Sequence, residues 1–147
     1  MILLASQNHL QEILNIERKS FSNPWTEDHF KYDLNNKISV NWIYQNDNHV
    51  IGYLFGWQVI DEYHLNNIAV QKQHRQNKIA IELFKYLKQY LEEIKVKSAL
   101  LEVSSSNLSA RKLYEKIGFI YKGNRKDYYT KGDDALLMHW NFNDRVV

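Results

Sequence analysis

The residues from 100 to 119 constrain the fold of this chain more strongly than any other stretch. The stretch begins with a short apolar segment that is interrupted by a single carboxylate, Glu102, and this pattern predicts a buried strand. A polar loop follows, in which Ser106 or Asn107 can cap a helix, because their side-chain oxygens accept hydrogen bonds from free backbone N–H groups. A strand, a tight loop and a helix are therefore expected in immediate succession.

The predicted helix is short and amphipathic. Its apolar and aromatic residues recur at i, i+3, i+4 and i+7 and define one face: Ala110, Leu113, Tyr114 and Ile117. Gly118 follows, where a residue with positive φ ends a helix at the lowest cost. The carboxylate of Glu102 and the phenol of Tyr114 are therefore predicted to face the same crevice.

The rest of the sequence predicts two N-terminal helices, a series of strands, a long helix and a closing hairpin. Helices are predicted over residues 7–19, over 26–35 with Thr26 as the cap, and over 78–94. Strands are predicted over residues 38–45, 49–59, 63–70, 99–103, 119–125 and 135–140. Within the second of these strands, Gly52 and Gly56 indicate a bulge or a close backbone approach.

The order of these elements predicts the fold class. The long helix between the strands at 63–70 and 99–103 makes a right-handed crossover, which pairs those two strands in parallel. The strands before this crossover and the closing hairpin are expected to pair antiparallel. The prediction is an α/β protein of the α+β type, in which helices cover a mixed, mostly antiparallel sheet.

Composition narrows the functional classes. The 147 residues suit a single domain spanning residues 1–147, and cysteine is absent, which excludes disulfides and thiolate zinc sites. A net charge of +2 gives no reason to expect nucleic-acid binding, and no apolar run reaches membrane-spanning length. Residues 1–5 are too short for a signal peptide, so a cytoplasmic location without membrane association is expected. The six histidines show no metal-ligand spacing, so no metal is expected.

The pattern Asn107-x-x-Ala110-x-x-Leu113-Tyr114-x-x-x-Gly118-Phe119, preceded by Leu101-Glu102-Val103, resembles the GNAT family of N-acetyltransferases. The similarity extends to Asn67-Ile68-Ala69-Val70 and covers nearly the whole chain. Within that family, the bacterial enzymes that acetylate the N-terminal alanine of a small-subunit ribosomal protein are the most similar. The resemblance implies a central parallel strand pair that splays apart, with acetyl-CoA as the co-substrate.

The segment from 71 to 80 is a candidate phosphate site. A helix N-terminus presents free N–H groups and a positive dipole, and basic residues lie beside it, although a solvated basic loop would have the same sequence. By resemblance, the amides of this loop hold the pyrophosphate of coenzyme A, Asn107 binds its pantetheine region, and the pantetheine arm pairs with the backbone of Ile68 and Val70 as an added strand would. The implied cofactor-binding positions are Ile68, Ala69, Val70, Arg75, Gln76, Asn77, Lys78, Ile79, Ala80, Ile81 and Asn107.

Lys78 departs from the family pattern, because it stands where the first glycine of the loop is expected. If that glycine is needed for positive φ, Lys78 is strained by about 1–3 kcal/mol. If it is needed only for close approach, the lysine side chain can turn outward and favour phosphate. The second interpretation is preferred here, because the first turn of a helix requires negative φ.

The proposed chemistry needs a base and an acid. An ammonium cannot attack a thioester until it loses a proton, and the departing thiolate benefits from gaining one. By resemblance, Glu102 accepts the first proton and Tyr114 donates the second. From the residues alone, Glu102 could equally be the outward-facing member of an alternating strand, and Tyr114 could simply fill the core.

The acceptor side is less defined by sequence. Pro24-Trp25 is either a packed turn or, by resemblance, a wall of the acceptor site. Tyr128, Tyr129 and the Asp61–Glu62 loop form either an acceptor-peptide groove or an ordinary hairpin with packed aromatics.

The sequence thus predicts an acetyl-CoA-dependent N-alpha-acetyltransferase that acts on a protein N-terminus, such as the N-terminal alanine of a ribosomal protein. One alternative keeps the fold and the co-substrate but takes a small amine or a lysine side chain as acceptor. Another is a non-catalytic acyl-CoA-binding or interaction module, which Lys78 favours. The oligomeric state is left open between a monomer and a weak dimer.

Overall fold

A computed structural model describes residues 1–76 and 78–142 of the chain. The helices are α1 (Leu10–Ser20), α2 (Glu27–Asn35), α3 (Ile79–Glu93) and α4 (Leu108–Ile117). The strands are β1 (Ile2–Leu4), β2 (Ser39–Asn46), β3 (His49–Val59), β4 (Glu62–Val70), β5 (Ser98–Ser104), β6 (Ile120–Thr130) and β7 (Asp133–Asn141). None of the helices within these described ranges is long and apolar enough to cross a membrane.

The strands form one seven-stranded sheet in the order β1-β2-β3-β4-β5-β7-β6. The pair β4–β5 is parallel, and the other five neighbouring pairs are antiparallel. The predicted fold class, a mixed sheet covered by helices, is therefore confirmed.

Local sequence signals account for several element boundaries. The hydroxyl of Thr26 accepts a hydrogen bond of 3.1 Å from the backbone N–H of His29 and caps α2 as predicted. Asp47 and Asn48 have φ values of 50° and 63° and make the tight turn between β2 and β3. Gly118 ends α4 with a φ of 132°.

Three differences from the sequence prediction go beyond a shift of one or two residues at the end of an element. The three-residue β1 was not predicted, because so short a segment carries no periodic pattern, and only its pairing with β2 defines it. The helix predicted over 7–19 begins with a 3-10 turn at Gln7–His9, and α1 follows it. The strand predicted to end at residue 125 continues to Thr130, so Tyr128 and Tyr129 lie within β6 rather than between two strands.

The sheet separates two hydrophobic cores. On one face, α3 and α4 pack on residues that include Leu101 and Val103, and Tyr114 of α4 belongs to the same core. On the other face, α1 and α2 pack on residues that include Phe55 and Ala69. Each face of the central strands therefore meets a different pair of helices.

The parallel pair at the centre of the sheet opens into a gap. The register of β4 and β5 contains three positions, which end at His64 and Leu100. Beyond them β4 continues alongside β3 to Val70, whereas β5 continues alongside β7 to Ser104. The predicted splay of the two strands is thus present, and it interrupts the sheet between the two helix layers.

Gly56 lies at an irregularity in the β3–β4 register, which shifts between Phe55 and Gly56. A Cβ atom at this position would lie 2.3 Å from Cζ of Tyr63. The fully buried Tyr63 ring therefore occupies the space that a side chain would need, and the register shift agrees with the predicted bulge.

Candidate active site

A cleft of about 710 Å³ occupies the gap on the α3–α4 face of the sheet. One wall is the C-terminal part of β4, and the opposite wall is α4. The start of α3 and the end of α1 complete it. The lining residues are Ser20, Phe21, Ile68, Ala69, Val70, His74, Arg75, Gln76, Lys78, Ile79, Ala80, Ile81, Asn107, Ser109, Ala110, Leu113, Tyr114 and Lys116.

The cleft brings together ten of the eleven positions that were predicted to bind the co-substrate. These are Ile68, Ala69, Val70, Arg75, Gln76, Lys78, Ile79, Ala80, Ile81 and Asn107. The eleventh, Asn77, lies outside the described residues. One cleft thus unites a strand edge, a helix N-terminus and a second helix that are far apart in the sequence.

The backbone of β4 is oriented to bind an extended ligand. The N–H of Gln71 donates a 2.7 Å hydrogen bond to the carbonyl of Ile51 on β3. Backbone groups alternate in direction along a strand, so those of Ile68 and Val70 point away from β3 and towards the gap. This is the edge that β5 leaves unpaired beyond His64.

Arg75 is tied to the protein itself. Its Nε donates to the Val70 carbonyl at 3.0 Å, and its Nη2 donates to Ser20 Oγ at 3.2 Å. The guanidinium therefore fastens the β4–α3 loop to the end of α1. Its charge still lies at the cleft, beside His74, Lys78 and Lys116.

Lys78 is left-handed, with φ 63° and ψ 18° at the N-cap of α3. The negative φ that the preferred interpretation from sequence requires is therefore wrong. Lys78 lies outside the helix as its cap, so the restriction on helical φ does not apply to it. Gln76 is also left-handed, with φ 70°. The position thus needs the backbone conformation that glycine adopts most easily.

We expect Lys78→Gly to stabilise the protein relative to Lys78→Ala. Both variants remove the ammonium group, but only glycine relieves the left-handed strain, which costs about 1–2 kcal/mol. The greater freedom of glycine in the unfolded chain offsets about 0.5–1 kcal/mol of that gain. Thermal unfolding of the two variants and the wild type measures the difference. A Lys78→Gly variant that melts below Lys78→Ala would contradict a strained N-cap.

The loop before α4 is held by one carboxylate at the start of β7. Asp133 Oδ1 accepts hydrogen bonds from three successive serines: Ser104 Oγ at 2.5 Å, Ser105 Oγ at 3.2 Å and the Ser106 N–H at 3.4 Å. These bonds hold the pKa of Asp133 below its ordinary value, and the bond from Ser104 contributes most. Asp133 precedes the strand predicted over 135–140, and the sequence gives no signal of this contact.

Asn107 caps α4, and its Oδ1 accepts a hydrogen bond of 3.2 Å from the N–H of Ala110. The sequence leaves the cap open between Ser106 and Asn107, and the structure selects Asn107. The exposed Asn107 also lies on the rim of the cleft.

Tyr114 lies on the buried face of α4 and borders the cleft. Burial, with a smaller contribution from the Tyr129 phenol, raises the pKa of Tyr114 to about 12. The phenol therefore stays protonated at neutral pH and can act as a proton donor. Its ring also packs against Phe84 and Phe119, so the core-filling role holds as well.

Glu102 projects from the sheet face opposite Leu101 and Val103, because successive side chains of a strand alternate. Its side chain is 32% exposed, and Oε1 lies 3.4 Å from Nη2 of Arg125 on β6. Glu102 thus lies on the α1–α2 face, and Tyr114 lies on the α3–α4 face. The sequence prediction that both face one crevice therefore needs a correction: they flank the gap from its two sides.

Tyr129 connects the two sides electrostatically. Burial raises the pKa of the Tyr129 phenol, and the Glu102 carboxylate raises it further. The same phenol contributes to the raised pKa of Tyr114. Tyr129 also packs edge-on against Tyr128, with ring centroids 5.1 Å apart.

Two further predicted acceptor segments lie in different places. Trp25 packs against Phe30 and Phe55 on the α1–α2 face, close to the gap. Glu62, in contrast, pairs with Ser98 at the closed end of the β4–β5 pair. The Asp61–Glu62 turn therefore does not join the groove at the open end, and that part of the prediction is wrong.

Glu17 is a buried carboxylate of α1 to which the sequence interpretation assigns no role. It occupies the i+7 position of the apolar stripe that begins at Leu10 and is only 2% exposed. A carboxylate within the buried stripe of a helix is a signal that could have identified it, because a buried charge needs partners.

Comparison with known proteins defines the family. The sequence profile of the acetyltransferase (GNAT) family matches residues 10–119. A Bacillus subtilis (strain 168) protein, assigned provisionally as a ribosomal protein bS18-alanine N-acetyltransferase, is 34% identical over 92% of this chain and 91% of its own length. The ribosomal protein bS18-alanine N-acetyltransferase of Escherichia coli (strain K12) is 30% identical over 84% of this chain and 85% of its own length.

A solved structure extends the likeness to three dimensions. The crystal structure of the ribosomal-protein-S18-alanine N-acetyltransferase from Escherichia coli has a TM-score of 0.91 at 26% identity, over 99% of this chain and 96% of that one. The chain therefore belongs to the acetyltransferase (GNAT) family. Its activity is that of an acetyl-CoA-dependent N-acetyltransferase.

Proposed function

We propose that the chain transfers the acetyl group of acetyl-CoA directly to the α-amino group of a protein N-terminus, and that the acceptor is the N-terminal alanine of a ribosomal protein. One observation carries the mechanism: the gap between β4 and β5 has Glu102 on one side and Tyr114 on the other. The acceptor specificity is supported by the similarity to enzymes that are named for that reaction.

The cleft suits the co-substrate along its whole length. The free N–H groups at the start of α3, together with His74, Arg75, Lys78 and Lys116, would hold the diphosphate. The outward-facing backbone of Ile68 and Val70 would pair with the pantetheine arm. The thioester would then lie in the gap, where a β4 backbone N–H can polarise its carbonyl.

The two proton transfers of the reaction take place on opposite faces of the sheet. On the α1–α2 face, Glu102 accepts a proton from the acceptor ammonium, directly or through water, and leaves a neutral amine. The amine nitrogen attacks the thioester carbonyl carbon, and the carbon–sulfur bond breaks. On the α3–α4 face, Tyr114 gives its phenolic proton to the departing thiolate. As the amide forms, its nitrogen gives up one of its two remaining protons, which returns through water to the Tyr114 phenolate. Glu102 releases its proton to solvent, and free coenzyme A, an amide and one proton result.

The acceptor side is open enough for a polypeptide. Tyr128 and Tyr129 are 54% and 45% exposed on β6 beside Glu102 and Arg125. Trp25 lies on the same sheet face, at the α1–α2 loop. An extended peptide lying between these aromatic side chains would bring its terminal amine to Glu102.

A peptide panel tests the acceptor. Free thiol release is followed with acetyl-CoA and peptides that begin with alanine or with other residues, and mass spectrometry locates the acetyl group. We expect alanine-starting peptides to react fastest, at the α-amino group. Faster transfer to a lysine side chain or to a small amine would overturn the proposed acceptor while leaving the enzyme class intact.

Tyr114→Phe tests the proton donor. We expect kcat to fall by about 10²-fold, the lower end of the effect of a lost acid catalyst, because a thiolate is a good leaving group. Since burial raises the pKa of Tyr114 to about 12, wild-type kcat should stay level through about pH 10, where an ordinary phenol is half ionised. Stopped-flow measurement of thiol release across this range gives both results. Unchanged kcat in Tyr114→Phe would exclude the phenol as the donor.

A further inference from the structure

The carboxylate of Glu17 lies at the centre of a buried hydrogen-bond cluster on the α1–α2 face. Its Oε1 accepts a hydrogen bond from the Tyr53 hydroxyl on β3 and another, of 2.8 Å, from Asn67 Nδ2 on β4. Its Oε2 accepts a 2.9 Å hydrogen bond from the backbone N–H of Trp25 in the α1–α2 loop. One side chain therefore joins a helix, two strands and a loop.

The three donors are all neutral, which distinguishes this cluster from an ion pair. A carboxylate only accepts hydrogen bonds, and all three partners donate. Hydrogen bonds to an ionised acceptor are about twice as strong as those between neutral groups. The cluster thus fixes its members strongly without a cation.

The positions of the donors connect the cluster to the site. Asn67 immediately precedes Ile68 and lies in the part of β4 that has separated from β5. Trp25 packs on Phe55, which is the register partner of Asn67 on β3. Glu17 therefore holds the α1–α2 loop against the strand that borders the gap.

We infer that Glu17 is a positioning residue for the acceptor amine. By fixing the Trp25 backbone to Asn67, it sets the distance between the loop that forms one wall of the acceptor groove and the gap into which the thioester is delivered. Glu17 touches neither substrate. The inference rests on the proposed function, which places the acceptor on this face of the sheet.

The test compares Glu17→Gln with a matched variant of the same helix. The substituted amide would keep the volume of the side chain but lose the charge and one acceptor, so the loop should shift relative to the gap. Glu12→Gln is the control, because Glu12 also links α1 to β3, with Oε2 accepting the Val50 N–H at 3.0 Å, but lies away from the site. For each variant, KM for an alanine-starting peptide, kcat, the Kd of acetyl-CoA and Tm are measured.

A positioning role predicts that the substitution weakens use of the peptide but leaves binding of acetyl-CoA unchanged. In Glu17→Gln, KM for the peptide should rise about tenfold, the effect of losing about one hydrogen bond, and kcat should fall, whereas the Kd of acetyl-CoA should stay within about twofold. Glu12→Gln should leave all three unchanged. Tyr53→Phe, which removes one donor and keeps the ring, should shift the peptide KM in the same direction by a smaller factor, and the double variant should be less than additive.

Three outcomes would overturn the inference. One is an unchanged peptide KM and kcat in Glu17→Gln, and another is a loss of acetyl-CoA affinity in parallel with a fall in Tm, which a purely structural role would give. If Glu17→Gln does not fold, an unchanged peptide KM in Tyr53→Phe is the third outcome that overturns the inference. A wild-type protein that acetylates no peptide N-terminus defeats the proposed function as well, whereas an active wild type with an unaffected Glu17→Gln defeats the positioning role alone.

Discussion

In Glu102→Gln, acetyl transfer is expected to fall by about 10²–10³-fold in kcat, because the amine loses the group that removes its proton. Glutamine keeps the shape of the side chain and cannot accept that proton. The Kd of acetyl-CoA should be unchanged, since Glu102 projects from the face opposite the cleft and does not line it. Steady-state thiol release and calorimetric titration with acetyl-CoA measure the two quantities separately.

The neighbouring Arg125 supplies the control for this prediction. It lies 3.4 Å from the Glu102 carboxylate and is 64% exposed, so Arg125→Ala alters the surroundings of Glu102 without removing the base. Its effect on kcat should be much smaller than that of Glu102→Gln. Equal turnover by Glu102→Gln and the wild type would remove the carboxylate from the chemistry.

Gly56→Ala is expected to give the largest loss of stability. The new Cβ would lie 2.3 Å from Cζ and Oη of Tyr63, whose buried hydroxyl donates a 2.7 Å hydrogen bond to the Val40 carbonyl. The ring would have to move and give up that bond. Overpacking of this kind costs about 3 kcal/mol, which corresponds to a fall in Tm of about 6–12 °C.

Gly123→Ala is the matched control for Gly56→Ala. A Cβ at Gly123 meets no atom within 4 Å, so the substitution should change Tm little. Tyr63 also belongs to the short paired segment that closes the β4–β5 gap, where it is the register partner of Ala99. Equal Tm values for Gly56→Ala and Gly123→Ala would show that the Tyr63 ring can move without loss of stability.

Local patterns predict most of the elements, because most of them carry their own signals in the sequence. The Thr26 cap, the Asp47–Asn48 turn and the end of α4 at Gly118 all lie where short-range rules place them. The strand β1 follows no such rule, since its three residues are defined by their pairing with β2, which lies beyond two helices in the sequence. Pairing over that distance leaves no trace in a local sequence window.

The site shows the same division between local and long-range information. Resemblance to the family, rather than periodicity, led to the co-substrate positions, and the cleft gathers those that the structure describes. The sequence does not give the conformation of Lys78, because it does not tell whether a residue is the cap or the first residue of a helix. The opposite placement of Glu102 and Tyr114 follows from strand alternation together with the position of α4, and only the folded chain combines the two.

Glu17 shows what a polar residue in an apolar pattern can reveal. The periodicity of α1 directs it towards the core, and burial of a carboxylate requires donors. The donors come from the α1–α2 loop, β3 and β4, which are respectively 8, 36 and 50 positions away in the sequence. Sequence alone indicates that partners exist but does not identify them.

The most direct test of the mechanism is a crystal structure with a bisubstrate ligand in which coenzyme A is joined through an acetyl bridge to the amino group of an alanine-starting peptide. The sulfur is expected in the gap between β4 and β5, the pantetheine arm paired with the backbone of Ile68 and Val70, the alanine nitrogen on the Glu102 side and the Tyr114 hydroxyl next to the sulfur. Strands that stay paired beyond His64 and Leu100, or a sulfur bound outside the gap, would contradict a transfer that proceeds through the sheet.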